Sequence, residues 1–412
     1  KRIPVGVLGA TGMVGQRFIT LLAAHPWFVL HALGASARSA GKPYEEAVNW
    51  KQATAIPSSA RDMIVTECLP QGAFAECKIV FSGLDSSVAG DIESAFRSVN
   101  LAIFSNSKNF RRDPNVPLVV PLVNTHHLAM IPQQQRLLSQ SSSSSSTGFI
   151  VTNANCSTTG IVVPIHALEK AFGPVDAVVV STMQAISGAG YPGLSAMDVM
   201  DNVVPYIDGE EEKVEWEMLK ILGGMREASS PTDELGRELE FDMRASTPLR
   251  VSASCNRVPV IDGHTACVSI RFARRPPPSP QQVREALSAF IPALPSSSLF
   301  TTSPSTSPSS SSITSPPVPS MFPPSPSLNP YTSLPPPSFP SPAIVVHSSN
   351  DRPQPRLDRY AQDGACVHVG RVRQCPVLDV KFVVLANNVS LGAASGSIMN
   401  AEVGVVRGLV AV

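Results

Sequence analysis

One cysteine stands among small polar residues in "TNANCSTTG", residues 152–160. The apolar run "GFIV" precedes it and the helix-like "IVVPIHALEKAF" follows it. That arrangement predicts that Cys156 sits where a strand turns into a helix. Free backbone N–H groups and the positive end of the helix dipole would stabilise a thiolate there. The same N–H groups could hold a tetrahedral oxyanion. A small buried thiol that only packs is the plain alternative. His264, in "DGHT", is one of eight histidines and precedes the strand-like "TACVSIRF", so a loop end is expected there, with a surface or structural role the plainer reading.

A second chemical signal opens the chain. "IPVGVLGATGMVGQRFITLLAAHP" reads as strand, glycine turn and helix, with Gly9, Gly12 and Gly15 spaced GxxGxxG. Such a turn lets a pyrophosphate approach a helix N-terminus, so Gly9, Thr11, Gly12, Met13, Val14 and Gly15 are the expected dinucleotide contacts. The next strand, "FVLHALGAS", should end at the ribose. An NAD site usually carries an acidic residue about 20 residues after the glycines, but no Asp or Glu occurs between Arg17 and Tyr44. "SARSAGK" supplies Ser36, Arg38 and Ser39 instead, which suit a ribose 2′-phosphate and favour NADP.

The elements that would position these groups alternate. The strands "CKIVFSGL" (77–84), "LAIFSNS" (101–107) and "VPLVVPLVN" (116–124) surround the helix-like "SVAGDIESAFRSVN". This order predicts a doubly wound parallel sheet whose loops, including Leu84–Ser87 with Ser86, face the cofactor.

The 412 residues carry 32 Lys+Arg against 32 Asp+Glu, so nothing marks nucleic acid or an acidic membrane surface as partner. No apolar run reaches the length of a membrane span. The seven cysteines have no CxxC spacing, which speaks against a zinc site or disulfide framework and for a reducing compartment. His126 and His127 adjoin without a ligand-spaced partner, so no metal is expected. The 39 prolines concentrate in a Ser/Pro-rich stretch, read as a disordered surface insertion over about 295–342. "SQSSSSSS" (139–146) reads as a lengthened loop.

"GATGMVG", "NCSTTG", "QAISGAG", "GEEEKVEWE" and "NRVPVIDGHT" stand in the order seen in aspartate-β-semialdehyde dehydrogenases. The chain resembles the fungal and archaeal branch of that family over nearly everything except the two serine-rich tracts. The resemblance implies NADPH-dependent reduction of β-aspartyl phosphate to aspartate semialdehyde, with release of phosphate, in lysine, threonine and methionine biosynthesis. It implies Cys156 as the nucleophile that forms a thioester, His264 as general acid/base and Gln184 as the residue orienting the acyl group. Arg257 would clamp the substrate carboxylate. Glu210 and Lys213 would lie at the substrate and phosphate site, and Arg111 would bind phosphate with Asn109 nearby. Asn388 would adjoin the nicotinamide. Glu211 and Arg112 are neighbours that spacing alone does not separate from Glu210 and Arg111.

The expected architecture is a doubly wound Rossmann NADP-binding domain (1–152, completed by the C-terminal helix 389–412) and an α+β catalytic and dimerisation domain (153–388). A cytoplasmic homodimer or homotetramer is expected, or a plastid one if a leader precedes this sequence. The rivals are a malonyl-CoA reductase or other acyl-thioester reductase on the same scaffold, and a non-enzymatic NADP-sensing scaffold protein.

Overall fold

A computed structural model describes residues 2–141, 146–228, 237–293, 329–332 and 334–410. The first half runs β1 (Ile3–Leu8), α1 (Met13–Leu22), β2 (Phe28–Ala35), β3 (Thr66–Glu67), β4 (Ile79–Ser82), α2 (Ser86–Ser98), β5 (Ala102–Ser105), β6 (Leu118–Val119), α3 (Ile131–Ser141) and β7 (Phe149–Asn153). The seven strands form one parallel sheet in the order β3-β2-β1-β4-β5-β7-β6. Strands β4, β5 and β7 are buried at every position. Helices cover both faces of a parallel sheet, so its strands read as apolar runs rather than alternations.

The order reverses beside β1, and the glycine turn leaves the sheet at that point. Gly9 has φ +72°, and a Cβ there would meet the Gly83 carbonyl oxygen at 2.7 Å. The turn therefore needs glycine both for its backbone angle and for its contact with the chain leaving β4. The apolar stretch 116–124, expected as one long strand, pairs only at Leu118–Val119. Pro117 and Pro121 lack the N–H a longer ladder needs. The Asn124 side chain takes over, accepting from Val120 N–H and donating to the Leu118 carbonyl.

The second half runs α4 (Cys156–Phe172), β8 (Val175–Gln184), α5 (Glu210–Leu222), β9 (Met225–Glu227), β10 (Leu239–Phe241), β11 (Arg250–Arg257), β12 (His264–Phe272), α6 (Pro280–Ser288), β13 (Ile344–Val346), β14 (Val367–Gln374), β15 (Val380–Ala386) and α7 (Ser395–Val406). Strands β9 and β10 pair as a hairpin, and the rest form a mixed six-stranded sheet, β11-β8-β12-β15-β14-β13. Its two faces differ. Val178 and Val180 of β8 pack with Ile161, Val162, Ile165 and Leu168 of α4, while Val179, Ser181 and Met183 are exposed. Helix α7 is buried on all sides and returns to the first sheet, where Ile398, Ala401 and Val405 join the core containing Val5 and Val7. No helix among the described residues is long and apolar enough to cross a membrane.

Of the stretch 295–342 expected as a disordered insertion, residues 295–328 and 333 lie outside the described residues, and residues 329–332 and 334–342 are docked. Tyr331 packs on Trp27 with ring centroids 5.0 Å apart, and Asn329 donates to the Val405 carbonyl. Ser338 donates its N–H and hydroxyl to buried Glu402, which also bonds His25. Asn329, Tyr331 and Ser338 anchor a segment that looks like linker by composition. In the serine tract, α3 continues to Ser141, and residues 142–145 are outside the described part.

Helix α5 carries a charged stripe, Glu210, Lys213, Glu217 and Lys220, at helical spacing. Lys220 is buried and donates to the carbonyls of Arg111, Asp113 and Val116 at 2.8, 3.0 and 2.9 Å. It fixes the turn that presents Arg111. Replacing it with methionine strands three buried acceptors, each costing roughly 1–3 kcal/mol if unmet. Lys220→Met is expected to lower the thermal midpoint by at least about 5 °C, measured by calorimetry. An unchanged midpoint would mean that this ammonium does not hold the turn.

Candidate active site

Strand β7 delivers the chain to Asn153, and α4 begins at Cys156. Asn155 caps the helix, its Oδ1 accepting from the N–H groups of Ser157 (2.9 Å) and Thr158 (3.2 Å). Its own N–H donates to Glu217 Oε2 at 2.5 Å and its side-chain amide to Glu210 Oε1 at 2.8 Å. The residue before the cysteine is thus tied to α5 from both ends. The strand–helix junction read from "TNANCSTTG" is present.

His264 is the first residue of β12. Antiparallel pairing with β8, Thr265 opposite Met183, brings it beside the end of β8. Its Nε2 lies 3.2 Å from Cys156 Sγ, across 108 residues of sequence. Its Nδ1 accepts the Ala185 N–H at 3.0 Å.

Burial works against the helix end and against charge on both groups. Desolvation pushes the Cys156 thiol up to about 12, with Glu210 adding to the rise and Arg111 and Arg257 opposing it. Desolvation also pushes His264 down to about 3. Removal from water thus opposes the helix end at this sulfur and disfavours a charged imidazole beside it.

Cys156 borders a cavity of about 450 Å³, and His264 lies beside it in the wall of a small adjoining pocket. Met13, Val14, Ser86 and Asn388 line one side, and Gln184, Arg257, Glu210, Lys213 and Arg111 line the other. Arg257 donates from Nη1 to the Ala185 carbonyl at 2.8 Å. Arg111 pairs with Glu217 at 2.8 Å and bonds the Asn106 carbonyl. The Nε atoms of Arg111 and Arg257 are buried without partners among the described residues, as are those of Arg17, Arg244, Arg359 and Arg407, which do not line the cavity. Lys213 reaches Glu210 at 3.2 Å. Burial would raise the Glu210 carboxyl, but the Asn155 amide and Lys213 hold it below its ordinary value. Gly188 keeps the floor open, since a Cβ there would stand 3.0 Å from Arg257 Nη1 and 3.1 Å from His264 Nε2.

The ambiguous neighbours separate in space. Glu211 accepts the Cys255 N–H, and Arg112 lies 4.9 Å from the centre of the Trp216 ring. Neither lines the cavity, whereas Glu210 and Arg111 do. Asn109 does not line it either. It lies in an adjoining cleft and donates to the Ser86 carbonyl, while Lys108 takes a place in the cavity wall. Asn388 donates to Ser187 Oγ and accepts from Gly263 N–H, linking its loop to the turn before His264. Gly9, Thr11, Gly12 and Gly15 form the turn behind Met13 and Val14, and Ser36, Arg38 and Ser39 follow β2, with Arg38 exposed. Sequence reading missed Asn155, Ser187, Gly188, Gly392 and Glu217. For Glu217 a signal existed, seven residues after Glu210 on the same helix face. The others mark close approaches: a Cβ on Gly392 would stand 2.8 Å from Cys156 Cβ.

One cluster was not foreseen. Ligand-type atoms of His347, Asp358 and His368 lie within 4.8 Å of one another. The two rings bond each other at 3.0 Å, and Asp358 gives both oxygens to Arg352. Those bonds occupy the atoms a cation would need.

Protein-family models match in two blocks. Residues 4–131 match the semialdehyde dehydrogenase NAD-binding domain, and residues 165–391 match the semialdehyde dehydrogenase dimerisation domain. The chain is 54% identical over 410 residues to an aspartate-semialdehyde dehydrogenase of Cryptococcus neoformans, covering 99% of this chain and 98% of that one. It is 45% identical over 406 residues to the Saccharomyces cerevisiae protein of that name, covering 98% of each. The crystal structure of the Candida albicans aspartate-semialdehyde dehydrogenase with NADP superposes with a TM-score of 0.80 at 43% identity, covering 100% of both chains. By sequence along its whole length, and by fold, this chain belongs to the aspartate-semialdehyde dehydrogenase family.

Proposed function

We propose that this chain reduces β-aspartyl phosphate to aspartate semialdehyde with NADPH, through a thioester on Cys156, in the biosynthesis of lysine, threonine and methionine. The observation that carries the reading is the Cys156–His264 pair at 3.2 Å, with Cys156 in the wall of a cavity that Arg257, Lys213 and Arg111 line. A carbonyl carbon at the sulfur would leave the substrate carboxylate to the Arg257 fork and the phosphate to Arg111 and Lys213. Neutralising the phosphate makes it a better leaving group. Gln184, buried at the end of β8, would orient the acyl oxygen.

The chain fits NADP on its own residues. The Gly9 turn opens α1, where a pyrophosphate would bind, and Ser36 and Arg38, just after β2, would meet the ribose 2′-phosphate. NADPH, when bound, supplies the hydride, and Asn388 would border its nicotinamide. We further propose a homodimer or homotetramer built on the open face of the six-stranded sheet. Exposed Val179 and Met183 and the match to a dimerisation domain support it. A cytoplasmic setting suits a reaction that needs a free thiol, and the described cysteines are all unpaired.

Assay in both directions tests the substrate. NADP⁺ reduction is expected with aspartate semialdehyde and to depend on added phosphate. NADPH oxidation that runs faster with malonyl-CoA than with β-aspartyl phosphate would contradict the reading.

A further inference from the structure

A second cleft of about 420 Å³ opens beside the main cavity. Lys108, Arg111 and Lys213 stand in the walls of both, so the two spaces meet at the side chains that would hold phosphate. Four cations line the cleft, Lys108, Arg111, Arg112 and Lys213, against two carboxylates, Glu212 and Glu217. Glu217 is engaged by Arg111, with which it pairs at 2.8 Å. Lys108, Arg112 and Glu212 are exposed, so the cleft reaches solvent. Arg111 is buried and Arg112 exposed, which puts consecutive arginines at the inner and outer ends of one path.

The way Arg112 is held matters for what it can bind. Its guanidinium lies over the Trp216 ring, 4.9 Å from the centroid. Among the described residues it makes no hydrogen bond or ion pair. A cation on a ring face is positioned by the ring quadrupole, and the N–H donors around the guanidinium edge stay available to an anion. Trp216 follows Lys213 by three residues on α5, so one helix face sets both the ring under Arg112 and the ammonium at the inner end.

We infer that this cleft is the port through which inorganic phosphate leaves after reduction and enters for the reverse reaction, with Arg112 as the residue that draws the anion in. The inference rests on the phosphate-releasing reaction proposed above. An acyl chain on Arg257 and a nicotinamide beside Asn388 would occupy the main cavity, and phosphate at Arg111 and Lys213 would have the cleft before it. The excess of positive charge raises the local concentration of a dianion and speeds its arrival. Arg112 touches no reacting atom. It sets access and selectivity for phosphate, and Arg111 and Lys213 hold the anion at the reaction centre.

Oxidation of aspartate semialdehyde by NADP⁺ at varied phosphate tests this in Arg112→Gln. The KM for phosphate is expected to rise about 5-fold, while the KM values for aspartate semialdehyde and NADP⁺ stay within about 2-fold of wild type. Glu212→Gln removes a carboxylate from the same cleft and is expected to lower the phosphate KM about 2-fold. Both shifts should nearly vanish in about 0.5 M KCl, because salt screens exposed charges. A phosphate KM unchanged in Arg112→Gln, a rise that persists in full at high salt, or an equal rise in all three KM values would overturn the inference. The NADPH burst formed before phosphate is added reads acylation alone and is expected to match wild type in Arg112→Gln; a smaller burst would place Arg112 in the chemistry and overturn its role as a port. Wild-type turnover that did not depend on phosphate would instead remove the proposed reaction itself.

Discussion

Cys156→Ala is expected to lower kcat by at least about 10⁴-fold, because the thioester route needs a covalent bond that no other cavity residue can make. Among the described residues, Cys156 is the only cysteine lining the cavity. Cofactor binding should survive, since the glycine turn is built by β1, α1 and the chain after β4 without using the sulfur. Stopped-flow absorbance at the nicotinamide band, together with an NADPH titration, separates the two effects. A variant that binds NADPH normally and still turns over within 100-fold of wild type would contradict a covalent mechanism.

Arg257→Leu is expected to produce the next largest loss, about 10³-fold in kcat/KM for aspartate semialdehyde. Removing one partner of a buried charge pair costs roughly 2–5 kcal/mol, and 1.36 kcal/mol is tenfold. Arg257 is 6% exposed, anchored by the Ala185 carbonyl, with its Nε unpartnered among the described residues. Arg257→Lys should recover little, because an ammonium cannot match a carboxylate through two parallel bonds. The KM for NADP⁺ should not move in either variant. A parallel rise in both KM values would mean that Arg257 supports the fold rather than the substrate carboxylate.

Local chemistry made much of this protein legible from its sequence. Gly9 and Gly15 announce a strand–helix turn because no other side chain fits there. The small polar residues around Cys156 announce a helix start because Asn155 caps it. Long-range pairing was not legible. Nothing in "DGHT" says that β12 runs antiparallel to β8 and carries His264 to Cys156. The choices of Glu210 over Glu211 and Arg111 over Arg112 depend on which way α5 and the turn after β5 rotate, and packing with Lys220 and Glu217 sets that rotation. A helix end at the sulfur is visible in sequence, whereas the desolvation that opposes it depends on packing and is not. Composition likewise overstated the Ser/Pro stretch, where Asn329, Tyr331, Ser338 and Phe339 find specific partners on the first sheet's core and on α7.

The covalent step can be observed directly. Mixing the protein with NADP⁺ and aspartate semialdehyde in the absence of phosphate should stop the reaction at the thioester, since the acyl acceptor is missing. Mass spectrometry of the acid-quenched, digested protein is expected to find one aspartyl adduct, on the peptide containing Cys156, lost on adding phosphate and absent from Cys156→Ala. A burst of NADPH with no adduct on that peptide, or an adduct on another residue, would contradict the account.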